Sequence, residues 1–237
     1  MNALGESFAT AFRLIVHADS ELVHTVALSL AVSASACACA AGFGLIAGAW
    51  LAVARFPGQR VVLLALDTLL ALPSVVVGLI VYLLLSRSGP LGSWGLLFTP
   101  PAMVIAQTLL VLPIIAALAR QLVADALRDG GDQLRSMGAG PMVCAVLMLV
   151  HERWAVATLM LIAFGRAVAE VGAVMIVGGN IAGFTRVMTT TIALETSKGD
   201  LPLALALGGI LLAVVALLNV AIVGLRRGAG SLVPEAR

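Results

Sequence analysis

The chain has 237 residues, of which 61% are hydrophobic and 11% charged, with a formal net charge of +2. A soluble domain carries about 25% charged residues, and a chain of this length has too little interior to hide so much apolar surface. That excludes a soluble globular domain. Basic residues scattered without aromatics between them leave no footprint for nucleic acid.

In chain order, the segment Glu6–His17 mixes apolar and polar residues at loose helical spacing, and we expect a short interfacial helix over 6–17. The first residues include Glu6 and lack a basic stretch, so no cleaved leader is expected and the first apolar run should stay as a span. Crossing a hydrocarbon core of about 30 Å takes about 20 apolar residues. Five stretches reach or approach that length: 22–54, 61–85, 102–119, 154–179 and 201–225. Hydrocarbon offers no partner to backbone N–H and C=O groups, so each run should be a helix. The runs do not alternate as barrel strands would. The first exceeds a bilayer thickness and should tilt or extend into water.

Pro100 and Pro101 open the third run, where proline is tolerated because first-turn N–H groups are unpaired anyway. Pro73 and Pro113 fall inside the second and third runs. Each should kink its helix and free the carbonyls of Leu69 and Leu109, as a bending point or as a static packing kink. The expected fold class is an all-α membrane protein with about five transmembrane helices in a single domain, 1–237.

Cys37, Cys39 and Cys144 are odd in number and lack metal-type spacing, so they read as small buried hydrophobes; no metal and no disulfide framework are expected. Orientation follows the basic residues in the connections. One side holds Arg55, Arg60, Arg120, Arg128, Arg135, Arg153, Arg226, Arg227 and Arg237, and the other Arg13, Arg87, Arg186 and Lys198. Nine against four puts the first side in the cytoplasm, with the N-terminus outside and the C-terminus inside. No internal repeat is apparent, so an inverted-repeat carrier lacks its usual pointer.

The longest connection, 121–153, is not disordered in composition. Leu122, Ala126, Leu134 and Met137 suggest short amphipathic helices broken at Gly130-Gly131 and at Gly138-Ala139-Gly140-Pro141, with Asp129 or Asp132 capping the second. Apolar residues return at Met142–Val150. A short helix held between glycines at the inner face suits docking into a groove of a soluble partner. It suits equally a connector packed on its own bundle.

The run Asp132-Gln133-Leu134-Arg135-Ser136-Met137-Gly138-Ala139 resembles the start of the EAA loop of ABC importer permeases. Gly138 takes the pattern's glycine. Asp132 stands for its glutamate, Gln133 and Leu134 for its alanines, Met148 for its isoleucine, and Val150-His151 for its Leu-Pro. Arg55-Phe56-Pro57-Gly58-Gln59 is similar to the short inner loop of molybdate-type permeases, and Leu72–Gly78 to their proline-containing second span. Gly165–Ala173 resembles their Arg…Glu-aromatic-Gly-Ala segment, with Val171 for the aromatic, and Gly179–Arg186 follows in register. The stretch from Arg186 to Asp200 resembles tungstate permeases more than molybdate ones.

The resemblance runs from about Leu22 to the C-terminus. It implies a type I ABC importer permease that pairs with a second copy of itself. It also implies a cytoplasmic ATPase gripping the loop around Gly138, an external binding protein delivering an oxyanion, and an inner-membrane location. Tungstate leads, with molybdate and sulfate as alternatives. ATP and Mg would belong to the ATPase, and no cofactor to this chain.

Arg166 and Glu170 lie well inside the fourth run, four residues apart on one face. Ionised groups there are costly, about 2.5–3.5 kcal/mol for Arg on insertion scales. The pair belongs either to a translocation path or subunit interface, or to fixed helix packing. Asp67 in the second run must face protein or water, and as an anion it is a packing partner rather than a contact for a dianion. At the outer end of the fourth run, Asn180, Thr185 and Arg186 offer donors either to a passing dianion or to an external protein.

No phosphate-cradling loop exists, because the only lysine, Lys198, follows Ser197. His151-Glu152 lacks a second histidine four residues on. No catalytic residue and no enzyme activity are expected. The rivals are an ion-coupled secondary carrier using Asp67 and Glu170, a membrane-embedded enzyme, and an assembly protein without transport.

Overall fold

The computed structural model describes residues 12–13, 16–17 and 20–230, without the side chains of residues 135 and 226–230. Most of the expected interfacial helix 6–17, and Arg237, lie outside them. The described residues form nine α-helices and one 3-10 turn, with no strand. They are α1 (Ser20–Val53), α2 (Gln59–Leu70), α3 (Ser74–Leu85), the turn Gly92–Trp94, α4 (Pro100–Ser136), α5 (Pro141–His151), α6 (Arg153–Val168), α7 (Gly172–Gly178), α8 (Met188–Lys198) and α9 (Leu201–Gly230).

Helices α1, α4 and α9 are each long and apolar enough to cross a bilayer. The pairs α2 with α3 and α5 with α6 are each a further span if a bent pair counts as one, which gives up to five. The all-α membrane architecture expected from the sequence is what the chain forms.

Contacts divide the chain into two compact units. The first is Met1–Ala36, Pro73–Gln107 and Gly165–Leu217; the second is Cys37–Leu72, Thr108–Phe164 and Leu218–Arg237. In the first, α3 and α7 pack backbone to backbone. A Cβ on Gly78 would stand 2.7 Å from Ala173 Cα, and one on Gly172 2.8 Å from both Ser74 Oγ and Val75 Cγ2. Small residues at such crossings let helices approach closely where no hydrophobic effect drives them together. Val77 and Val81 of α3 and Val174 and Val177 of α7 are buried around the crossing.

In the second unit, Gly44 and Gly48 bring α1 onto α4: a Cβ on Gly48 would lie 2.9 Å from Ala119 Cβ and from Arg120 N. Beside this contact Ala49, Val123, Ala145 and Met148 form a buried cluster, covered by Leu127 and Leu134. The turn between α1 and α2 is held by stacking of Trp50 on Phe56, ring centroids 5.4 Å apart, and by Gln59 Nε2 donating to Leu51 O at 3.2 Å.

Several sequence expectations give way. Pro73 does not kink a continuous helix. It is the residue before α3, with φ −63° and ψ 126°, while α2 has already ended at Leu70. The Leu69 carbonyl is not freed either, because Leu72 N–H donates to it at 3.4 Å. Gly130 and Gly131 do not break a helix, and Asp129 and Asp132 lie inside that helix rather than at an N-terminus. Helix α4 runs through all four to Ser136, and Pro113 also lies within it. Each glycine costs about 1 kcal/mol relative to alanine in a helix. The packing of Leu127 and Leu134 against the Val123–Met148 cluster outweighs that. The expected span 154–179 is interrupted at residues 169–171, and Met142–Val150 belongs to a helix of its own, α5, set at 77° to α6.

Candidate functional site

In the first unit the break between α6 and α7 is built around Glu170, whose side chain is buried although the residue is acidic. Its Oε1 accepts the Ala173 N–H at 3.2 Å, capping the first turn of α7, and its Oε2 accepts from Arg166 Nη1 at 3.3 Å. The Glu170 carbonyl accepts from Thr189 Oγ1 at 2.7 Å, and the Ala167 carbonyl from Gln107 Nε2 at 3.0 Å. The break therefore leaves few bare backbone groups. That is the condition for irregular backbone at membrane depth. The Arg166 side chain is half exposed and the Glu170 side chain 5% exposed, so the carboxylate is held mainly by its own surroundings.

After α7 the chain turns tightly. Gly179 and Gly183 have φ of 69°, and Asn180 has φ of 51°. Thr185 Oγ1 stitches the turn by donating to Gly178 O at 2.6 Å and accepting Ile181 N–H at 3.0 Å. Asn180 Nδ2 reaches Thr190 O at 3.5 Å, and Arg186 Nη1 meets Glu21 Oε1 at 3.4 Å. Helix α8 starts under two side-chain acceptors: Thr190 Oγ1 takes Val187 N–H at 3.2 Å and Ser29 Oγ takes Met188 N–H at 2.7 Å. Gln107 Oε1, Asn180 Oδ1 and Arg186 Nε are buried with no partner among the described residues. An unpartnered buried Nε–H is a donor held ready for water or an anion.

In the second unit the residues resembling the EAA loop form an elbow. Helix α4 ends with Gly138 at φ 82° and the Ala139 N–H donating to Leu134 O at 3.1 Å, the wrapped ending in which a left-handed residue follows the last turn. Gly140 then precedes α5, and Pro141 occupies its first turn, where a missing N–H costs nothing. Between them Met137 is 81% exposed. Gln133 and Ser136 are exposed too, and Ser136 Oγ donates to Gln133 O at 2.7 Å.

The structure thus joins Arg166 to Glu170 and gathers Asn180, Thr185 and Thr190 into one turn, while Arg186 is tied to Glu21. Sequence reasoning missed Gln107, Ser29 and Glu21. Gln107 alone carried a signal, as the only amide in the apolar run 102–119.

No protein-family model matches the chain. Individual proteins do. A protein of Haloferax volcanii named a probable anion ABC transporter permease protein is 43% identical over 199 residues, covering 82% of this chain and 86% of that one. The tungstate uptake system permease protein TupB of Peptoclostridium acidaminophilum is 39% identical over 230 residues, 95% of this chain and 99% of that one. The sulfate transport system permease protein CysW of Escherichia coli K12 is 30% identical over 179 residues, 71% of this chain and 60% of that one. With apolar helices for up to five spans and identity at this level across nearly the whole length of such proteins, the chain is a multi-pass membrane protein and belongs to the family of ABC transporter permeases.

Proposed function

We propose that this chain is the membrane subunit of an ATP-driven tungstate importer of the inner membrane, working as a homodimer with its N-terminus outside. The observation that carries the substrate is the 39% identity across 99% of a protein named for tungstate uptake. A separate cytoplasmic ATPase, with its own ATP and Mg, grips the elbow at Asp132–Ala139. An external binding protein hands over the dianion. The exposed Met137 supports the first part: a bare thioether at a helix end gains about 1.5–3 kcal/mol when a partner covers it. Arg186 Nε, buried with no partner among the described residues and close in sequence to Asn180 and Thr185, supports a polar contact for the dianion in the first unit. Arg166 and Glu170 belong to the wall of that path or to the contact between copies. Coupling arises because ATP-bound and ATP-free partners favour different arrangements of the helices, and substrate binds those arrangements differently.

The test is tungstate uptake into proteoliposomes holding the chain, its ATPase and its binding protein, read by mass spectrometry of the metal. Uptake should need ATP and all three components. Uptake by this chain alone without ATP would instead support the ion-coupled carrier. Sulfate and molybdate in tenfold excess should leave tungstate uptake standing; loss of uptake to sulfate would favour the substrate in the name of the CysW relative.

A further inference from the structure

In the second unit the second half of α4, the junction of α5 with α6 and Leu225 of α9 surround a cleft of about 640 Å³ that the transport reading does not use. This lies within the range of small-molecule sites. Leu118, Leu122, Leu159, Ile162 and Leu225 line it, with the polar Gln121 and Thr158 among them. Charged side chains of both signs, Asp125, Glu152 and Arg153, line it too, together with His151 and Trp154. The 77° bend between α5 and α6 puts Glu152, Arg153 and Trp154 in succession along this lining. The Arg153 guanidinium stands 5.8 Å from the Trp154 ring centroid. Stacking on a ring face leaves the N–H edges of a guanidinium free for a bidentate acceptor. Among the described residues Asp125 pairs with Arg128, at 3.4 Å on an exposed surface, a pairing weak enough to yield to a better cation.

A lining that joins leucines to one arginine and two carboxylates, counted among the described residues, fits a zwitterionic amphiphile better than an anion or an oil. We propose that this cleft holds one phosphatidylethanolamine molecule. Its phosphate takes the fork of Arg153, its ammonium donates to Glu152 and Asp125, and its acyl chains lie along the leucines and Ile162. Charge complementarity chooses the headgroup. An anionic phospholipid has no cation for the two carboxylates. A choline headgroup cannot donate hydrogen bonds to them and finds here one ring, already covered by Arg153, rather than an aromatic cage. A tryptophan beside an arginine is also the usual furniture of a membrane interface. The inference rests on the chain being a multi-pass membrane protein and not on its substrate.

The experiment is native mass spectrometry of the full-length, delipidated protein titrated with phosphatidylethanolamine, phosphatidylcholine or phosphatidylglycerol. One phosphatidylethanolamine per chain should bind on the order of tenfold more tightly than the other two, since each charge-assisted hydrogen bond contributes about that factor. Arg153→Ala should lose that preference. The near-isosteric double change Asp125→Asn with Glu152→Gln should raise phosphatidylglycerol to or above phosphatidylethanolamine, and it carries the test alone if Arg153→Ala does not fold. Equal binding of the three lipids, a preference of the unaltered chain for phosphatidylglycerol, or undiminished phosphatidylethanolamine binding by Arg153→Ala would each overturn the proposal. The measurement uses no ATP, tungstate or partner protein, so its failure leaves the import reading untouched, and failed uptake leaves this one untouched.

Discussion

Replacing Gly138 separates backbone shape from side-chain bulk, because a Cβ there would meet nothing within 4 Å. What a substitution disturbs is the left-handed dihedral, φ 82°. An L-residue held in that region costs roughly 1–2 kcal/mol, with asparagine the most tolerant exception. If the ATPase selects the elbow as it stands, its affinity should fall by up to ~5–30-fold, the equivalent of that strain. Gly138→Ala should sit near the lower figure and the β-branched Gly138→Val near the upper. Gly138→Asn, larger than either Ala or Gly, should stay near the unaltered protein. The assay is ATPase-subunit affinity measured on immobilised, membrane-inserted permease, with coupled transport as a second readout. If Asn weakens docking as much as Val, bulk and not dihedral is what matters; if Ala and Val both bind normally, the elbow is not the docking surface.

Three other outcomes are expected. Gly78→Val should lower the unfolding midpoint by an overpacking cost of about 1–3 kcal/mol, because the added carbon would run into the Ala173 backbone, which cannot swing aside; an unchanged midpoint would mean that α3 and α7 are not this close. Glu170→Ala should destabilise more than Arg166→Ala, since the first strips the cap from Ala173 N–H as well as the ion pair, about 1–3 kcal/mol against about 0–1 kcal/mol for a half-exposed charge; thermal unfolding of the two variants decides the order. In a background freed of cysteine, an impermeant thiol reagent applied to intact cells should modify Ser88→Cys and spare Met137→Cys, and the reverse pattern would invert the orientation read from the arginines.

What could be read in advance follows from which physics leaves a trace in one dimension. The long apolar runs of α1 and α9 are plain, because hydrocarbon demands them residue by residue. The elbow was visible through Gly138 and Pro141, whose backbone preferences are local. Gly130-Gly131 misled because a helix interior tolerates glycine when neighbours such as Leu127 and Leu134 pack well, and that packing comes from α1 and α5. Pro73 misled in the other direction: the helix had ended three residues earlier. The pairing of Arg166 with Glu170 followed from spacing alone. Glu170 as the cap of α7, Thr189 on its carbonyl and Gln107 on Ala167 did not, since partners up to 60 residues away set those roles.

Helix α4 has 37 residues, which at 1.5 Å each makes a rod of about 55 Å. The hydrocarbon slab is about 30 Å thick and the whole bilayer with headgroups about 40–45 Å. A typical tilt near 20° shortens the rod's reach by only about 3 Å. The surplus is a mast: α4 is longer than the bilayer is deep, so part of it stands in water, and in the importer proposed above a swing of its Met137 end would be carried along one continuous helix into the depth of the membrane.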